Sequence, residues 1–373
     1  MAGGSEKKVK NKNLGEMIGQ MIMVGFREAE VTAETPIIRA IKEFSLGGVI
    51  LYNIDLPCFW EAKCQKPDLS REEGALICPR NIISKEQLCK LTSTLSKLAK
   101  SPLLIAVDQE GGLVSRLSPA AGFPPRESPK ELGQKNNLAY TEQVAKEIAR
   151  DLKDSGINLN LAPVVDLDLN PQGLISTSGR SFGPDPELVY RHSRAFILAH
   201  RQQGILTCLK HFPGKGSAGG DTHFEVIDVT QNYRAEELWP FQKLIAEGLA
   251  DLIMTSHVWH REWDEEFPVT LSAKIIQGLL RGKLGYRGPL ITDDLLMGGV
   301  SKLFPLEEAV VLAVRAGADI LLASNNSPNG YEENLFARIY EALVKALEKR
   351  LLSLSMITSA YARIQELKNR VLI

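Results

Sequence analysis

Long apolar runs are missing from this 373-residue chain. No stretch approaches the ~18 consecutive apolar residues of a membrane-spanning helix, so no span is expected. An excess of basic charge is missing too. Against 45 Asp and Glu stand 44 Lys and Arg, a net charge of −1, without the surplus that draws proteins to phosphate backbones; a nucleic-acid partner is not expected. Cysteine is scarce and odd in number, and Cys58, Cys64, Cys78, Cys89 and Cys208 do not read as a disulfide framework. Three of them share one segment, where a single bridge would suit an exported protein; free thiols are the default expectation. The polar, basic residues 1–13 have no apolar core of an export signal and are expected to be disordered. As written they imply a cytoplasmic protein, with a periplasmic or extracellular place as the alternative if a signal has been removed.

What is present is a rhythm. Eight short Val/Ile/Leu-rich blocks recur: Met21–Gly25, Gly48–Tyr52, Leu103–Asp108, Leu159–Asp166, Thr207–Phe212, Leu252–His257, Pro289–Asp293 and Asp319–Ser324. Continuous apolar blocks of this length suit strands buried on both faces of a parallel sheet. Helix signals lie between them. Ser84 and Gln87 precede Leu88–Leu98 in a capping-box pattern, Thr141 precedes Glu142–Asp154, and Asp185-Pro186 opens a helix towards Gly204. Ser272 opens Ala273–Lys283, and Arg234–Glu247 and Leu306–Arg315 follow the same logic. Eight strand–helix repeats predict an α/β fold of the (β/α)8 barrel type. The doubly wound sheet shares this alternation, but the G-x-G-x-x-G expected after its first strand is absent, since Gly25 is followed by Phe26-Arg27-Glu28-Ala29. Residues 14–373 read as one domain, ending in helices over Asn334–Ile373 that pack outside the barrel. One connection is abnormal: Asn53–Ile83 is a long loop insertion after strand two, either a substrate-side lid or decoration.

In such barrels chemistry gathers at the C-terminal ends of the strands. Here strand three ends in Asp108-Gln109-Glu110, strand four in Asp166, strand five in Lys210-His211, strand six in His257, strand seven in Asp293-Asp294 and strand eight in Asn325-Asn326. Each alone reads as a structural pair or cap; together they predict a polar, sugar-sized mouth. The segment Lys210–His223 is densest. Its glycines permit a mobile loop, and it carries Asp221 and His223 two residues apart, so that a carboxylate can orient an imidazole for proton transfer. Of Asp293 and Asp294 only one can face the barrel axis, because neighbouring strand residues point to opposite sides, and the sequence does not choose between them.

These blocks resemble glycoside hydrolase family 3, and within it the NagZ-like β-N-acetylglucosaminidase branch. The similar stretches are Ala106–Gly112, Asn160–Asp166, Gly179–Phe182, Lys210–His223, Thr292–Met297 and Ala316–Leu321 with Asn325-Asn326, in family order. The resemblance implies Asp293 as nucleophile, and His223, oriented by Asp221, as catalytic acid/base. It further implies that Asp108, Arg116, Arg180, Lys210 and His211 hold the terminal sugar. Alone, Arg116 would read as a solvated charge and Arg180 as a surface arginine. One departure stands out: after Pro213-Gly214 the branch commonly has histidine, and this chain has Lys215, expected to add positive charge beside the Asp221–His223 dyad.

The expected activity is retaining hydrolysis of non-reducing terminal β-linked N-acetylglucosamine from cell-wall or chitin-type glycans, as in peptidoglycan turnover. It would proceed by a covalent glycosyl-Asp intermediate, in a monomer, without metal or cofactor. The alternatives are a phosphorylase, another family 3 β-glycosidase, a metal-dependent hydrolase recruiting His257, His260 and Asp293, or a non-catalytic sugar-binding barrel using Trp259 and Trp263.

Overall fold

Eight parallel strands, one from each apolar block, line up side by side in a computed structural model that describes residues 13–327 and 330–371. They are β1 (Ile22–Gly25), β2 (Gly48–Ile50), β3 (Leu104–Val107), β4 (Leu159–Asn160), β5 (Leu206–Phe212), β6 (Leu252–Thr255), β7 (Leu290–Ile291) and β8 (Leu321–Ala323). Every strand residue is buried, because side chains on one face fill the barrel and those on the other meet the helices. The sheet order is β8-β1-β2-β3-β4-β5-β6-β7. A parallel bridge between Ile291 and Ile320 closes the ring, with Thr292 N–H donating to Ile320 O at 3.0 Å. This is the (β/α)8 barrel that the alternating blocks predict. Of the polar segment 1–13, only Asn13 lies within the described residues, at the start of helix 13–20.

The helices follow their caps, with two differences. Ser84 Oγ accepts from Gln87 N–H at the head of Lys85–Leu98, and the Asp185 carboxylate caps Pro186–Gln202. The helix expected after Thr141 starts earlier, at Leu138, because Asn137 takes the capping role through Tyr140 N–H. Thr141 is instead buried, with Oγ1 2.9 Å from His192 Nδ1. The segment after Ser272 winds as a wider π-helix over Lys274–Lys283.

Of the two C-terminal helices, Leu335–Glu348 packs outside the barrel, with Phe336 meeting Phe44 ring to ring at 5.5 Å. Leu354–Asn369 holds the N-terminal ends of the strands. Arg363 pairs with Asp319 before β8 at 2.7 Å, and Lys368 Nζ donates to Gln20 Oε1 (2.6 Å) and Gly47 O (2.8 Å) before β1 and β2. Just past the helix, Arg370 reaches Asp251 before β6. That end is locked, and the C-terminal mouth is left for the site.

The long connection after β2 is not an irregular loop. It folds into two helices, Leu56–Gln65 and Arg71–Ile77, over a small core of Ile54, Phe59, Leu69, Ala75 and Cys78. The default of free thiols fails for one pair: Cys58 and Cys78 form a disulfide with Cα atoms 5.7 Å apart, while Cys64, Cys89 and Cys208 stay free. Fully buried Arg80 fastens the base, donating to Phe26 O, Asp55 Oδ2, Asn326 Oδ1 and Asn325 O.

Candidate active site

A cavity of about 400 Å³ opens at the C-terminal mouth, within the range of small-ligand pockets. All eight residues singled out from sequence line it: Asp108, Arg116, Arg180, Lys210, His211, Asp221, His223 and Asp293.

One wall is a chain of buried charges. Asp108 ends β3, and a short hairpin (Gln109–Gly111 with Val114–Ser115) follows, bringing Glu110 inside. Lys210 Nζ, from β5, sits 2.7 Å from Asp108 Oδ1 and 2.6 Å from Glu110 Oε1. Arg180 grips both oxygens of Glu110, at 2.8 and 2.7 Å, the bidentate geometry that favours arginine. It is therefore no surface arginine. Arg116 faces Asp108 at 3.6 Å and lies over the Tyr52 ring, and its Nε is buried without a partner. Burial alone would raise Asp108, but Lys210 and Arg116 outweigh it and hold the carboxyl down at about 2. Glu110 is likewise lowered, Arg180 and Lys210 overcoming its burial.

His211 follows Lys210 on β5. Burial first, then Lys215, Arg180 and Lys210, push its pKa well below the usual imidazole value, so the ring is neutral at pH 7. Its Nδ1 lies 2.7 Å from Asp166 Oδ2, and Asp166 also accepts the N–H groups of His211 and Lys215. That contact assigns the proton to Nδ1. Nε2 is left as an acceptor beside Arg180, 3.5 Å from its Nη2.

The glycine-rich loop after β5 brings the dyad over. Gly298 N–H donates to His223 O and Gly299 N–H to Thr222 O, both at 2.9 Å. The loop fits because these glycines lack side chains: a Cβ on Gly298 would stand 2.6 Å from the carbonyl carbon of Phe224. Asp221 Oδ1 accepts from His223 N–H and lies 2.6 Å from His223 Nδ1. Nδ1 is thereby committed to the carboxylate and Nε2 is the free nitrogen. Burial tends to raise Asp221, but its bond to His223 more than compensates, and the carboxyl is lowered.

Both aspartates at the end of β7 line the cavity, and they differ in how they are held. Asp294 is tied into the framework, accepting from Ser324 N–H, Ser324 Oγ–H and Leu296 N–H. Among the described residues Asp293 has only the N–H of Asp294 as a hydrogen-bond donor, and Lys215 Nζ stands 3.9 Å from its Oδ2. Burial would raise Asp293; Lys215 leads the positive groups that lower it instead. Lys215 thus acts mainly on Asp293, and the dyad feels it as a lesser influence on Asp221.

The remaining polar strand ends are scaffolding. His257 commits one ring nitrogen to Thr270 Oγ1 and the other to Asp294 O. Asn326 accepts from Leu56 N–H and donates to Ile54 O, fastening the insertion. His260 stacks on Trp263 at 3.9 Å, while Trp259 is buried and donates to Asp264 O, so neither tryptophan lines the cavity. Among the described residues no group of three or more His, Cys, Asp or Glu could hold a metal ion. Sequence reasoning gave no role to Glu110, the buried counter-charge of Arg180 and Lys210, although a carboxylate placed between an apolar strand and two glycines was a signal. It missed Arg71 of the insertion, which lines the cavity together with Trp60, the aromatic of the segment expected as a substrate-side lid or decoration.

A family model described as the Glycosyl hydrolase family 3 N terminal domain matches residues 13–367. The chain is 32% identical over 319 residues to Beta-hexosaminidase A of Pseudoalteromonas piscicida, covering 80% of this chain and 53% of that one. The fold is similar to a glycoside hydrolase family 3 beta-N-acetylglucosaminidase from Paenibacillus sp. str. FPU-7, with TM-score 0.82, 32% identity, and 96% of this chain and 62% of that one covered. It is also similar to the Beta-N-acetylhexosaminidase from Beutenbergia cavernae DSM 12333, with TM-score 0.79, 27% identity, and 95% and 98% covered. The chain therefore spans between half and two thirds of the first two relatives and nearly all of the third. A family match that runs from the first described helix into the last makes this chain a member of glycosyl hydrolase family 3.

Proposed function

We propose that this chain is a retaining β-N-acetylhexosaminidase of the NagZ-like branch, removing non-reducing terminal β-linked N-acetylglucosamine from cell-wall or chitin-type glycans. The observation that carries the reading is one cavity lined by both Asp293 and the Asp221–His223 dyad, with Asp108, Arg116, Arg180, Lys210 and His211 beside them. The names of the relatives support the acetamido sugar.

In this reading the buried charge network holds the terminal sugar by its hydroxyls. Asp293, kept ionised by Lys215, attacks the anomeric carbon. His223 gives its Nε2 proton to the departing glycosidic oxygen, while Asp221 stabilises the ring through Nδ1–H. A covalent glycosyl–Asp293 ester and the free leaving group result. Neutral His223 then takes a proton from water, whose oxygen attacks the same carbon and releases Asp293, so two inversions give net retention.

The test pairs aryl β-glycosides of N-acetylglucosamine and glucose, with NMR of the first-formed sugar. Preferential release of the β-anomer of N-acetylglucosamine is expected; first release of the α-anomer, or no release, overturns the reading. Repeating it in phosphate distinguishes a phosphorylase, whose product would be a sugar 1-phosphate.

No helix among the described residues is long and apolar enough to cross a membrane. The Cys58–Cys78 bridge supports work in an oxidising compartment, outside the cytoplasm.

A further inference from the structure

Three consecutive N–H groups at the root of the glycine-rich loop are held by buried carboxylates from outside it. Asp166 accepts from Lys215 N–H at 3.1 Å. Glu237 Oε2 accepts from the next two, Gly216 at 2.6 Å and Ser217 at 3.4 Å. Glu237 is fully buried on the short 3-10 turn Ala235–Leu238 and does not line the cavity. Its other oxygen, Oε1, accepts from Arg234 N–H at 3.4 Å, and no cation is among the leading influences on it.

Four residues before Glu237, Tyr233 donates its hydroxyl to Pro213 O at 2.9 Å. The two side chains thus grip both ends of the turn Pro213–Ser217, with Lys215 at its middle. The fit is close: Gly214 has φ +117°, and a Cβ there would stand 2.6 Å from Glu237 Cβ. Backbone fixed on both sides of Lys215 fixes where its side chain starts, and the ammonium ends 3.9 Å from Asp293 Oδ2. Capping of the turn accounts for Oε1 alone. A carboxylate taken out of water needs partners, and two of the three N–H donors here belong to the loop.

We propose that Glu237 is a positioning residue for the reaction: with Tyr233 it holds the turn Pro213–Ser217 so that Lys215 meets Asp293. The proposal rests on the hydrolase reading, in which Asp293 attacks, and adds to it a group that touches neither sugar nor nucleophile. Glu237 acts through the backbone, since the leading charges around Lys215 are Asp293, Arg180, Asp166 and Lys210. Asp293 in turn faces Lys215, His257 and His223, with Asp294 beside it. When the turn slips, Lys215 retreats, the burial of Asp293 is opposed less, and the carboxyl needs a higher pH to ionise. Loss of the negative charge on Glu237 would by itself favour ionised Asp293. A shift towards neutrality therefore reports the geometry and not the charge.

The test follows kcat and KM against pH on an aryl β-N-acetylglucosaminide for wild type, Glu237→Gln, Lys215→Met and the double variant. Glu237→Gln turns an NH2 towards N–H donors on one of its two sides. It is expected to lower kcat about tenfold at the optimum, because small misplacements near reacting atoms are costly. KM should change far less, since none of the sugar-holding side chains bonds to Glu237. The acidic limb of kcat/KM should move towards neutrality, and in the double variant it should stand where Lys215→Met alone puts it. A limb that stays in place, or shifts that add in the double variant, overturn the proposal; a mere cap would cost stability without moving the limb. Should Glu237→Gln not fold, Tyr233→Phe removes only the hydroxyl bond to Pro213 O and should move the limb the same way by less; an unmoved limb there overturns the proposal as well. Failure of wild type to release the aryl sugar would instead sink the hydrolase reading itself, so the two failures are distinguishable.

Discussion

Lys215 Nζ stands 3.9 Å from Asp293 Oδ2, and it is the leading positive influence on that carboxylate. Burial pulls the ammonium itself down, while Asp293 pushes it back up, so each charge sustains the other. Without Lys215 the burial of Asp293 is opposed less, and its pKa must rise. A carboxylate with a raised pKa is protonated at higher pH, so the acidic limb of the kcat/KM profile should move towards neutrality in Lys215→Met. Lys215→Arg, which keeps the charge, should restore most of it. An unmoved limb in the methionine variant would show that the contact does not tune Asp293.

The adjacent aspartates should fail in opposite ways. Asp293→Asn removes the attacking oxygen from a side chain with few framework bonds, so turnover should fall by about a thousandfold or more with little change in Tm. Asp294 stitches the end of β7 to Ser324 after β8. Its replacement by asparagine keeps an oxygen for the N–H donors of Leu296 and Ser324 but turns an NH2 towards the Ser324 hydroxyl that now donates to Oδ2, and should cost about 1–3 kcal/mol of stability. Thermal melts beside single-turnover rates separate the two; wild-type kcat in Asp293→Asn would reject its assignment.

His223→Ala should distinguish a proton donor from a mere wall of the cavity. Activated aryl glycosides leave without help, whereas a sugar alcohol needs its oxygen protonated. The loss should therefore be far larger on disaccharides than on nitrophenyl substrates, and Asp221→Asn should follow the same trend more weakly. Equal losses on both substrate types would count against His223 as the acid.

The barrel was legible because strands buried on both faces need continuous apolar blocks, and because the polar residues that end them have only the mouth to face. The choice between Asp293 and Asp294 was legible only through the family resemblance: alternation does not decide between them, and Asp294 is tied down largely by Ser324, some thirty residues on. Helix starts were blurred where two caps compete, as Asn137 and Thr141 do. The insertion was hidden for a different reason. Its helices turn few side chains inward, and what orders them is a disulfide and the buried Arg80, both contacts distant in sequence.

That dependence can be measured. Alkylation under denaturing conditions should modify three thiols, Cys64, Cys89 and Cys208, before reduction and five after it. A bond across 20 residues is worth about 3 kcal/mol in the chain-entropy account. In the Cys58→Ser/Cys78→Ser double variant the insertion should therefore lose protection from proteolysis and hydrogen exchange, while the barrel strands keep theirs. Loss spread evenly over the whole chain would mean that the insertion does not open on its own.

Lys368 offers a last check, at the opposite end of the barrel. It is fully buried, its ammonium bonded to Gln20 Oε1 and Gly47 O with no carboxylate partner among the described residues, and burial lowers its pKa to about 7. The unfolded chain should keep the ordinary lysine value near ~10.4. Between the two values the unfolded state carries the extra proton, so stability should rise as pH climbs from about 7 to about 10, and the burial penalty should be fully present only below that window. Lys368→Met removes the titrating group. Its chemical-denaturation free energy should lack this lysine's share of the rise, and a wild-type slope in the variant would assign the pH dependence elsewhere.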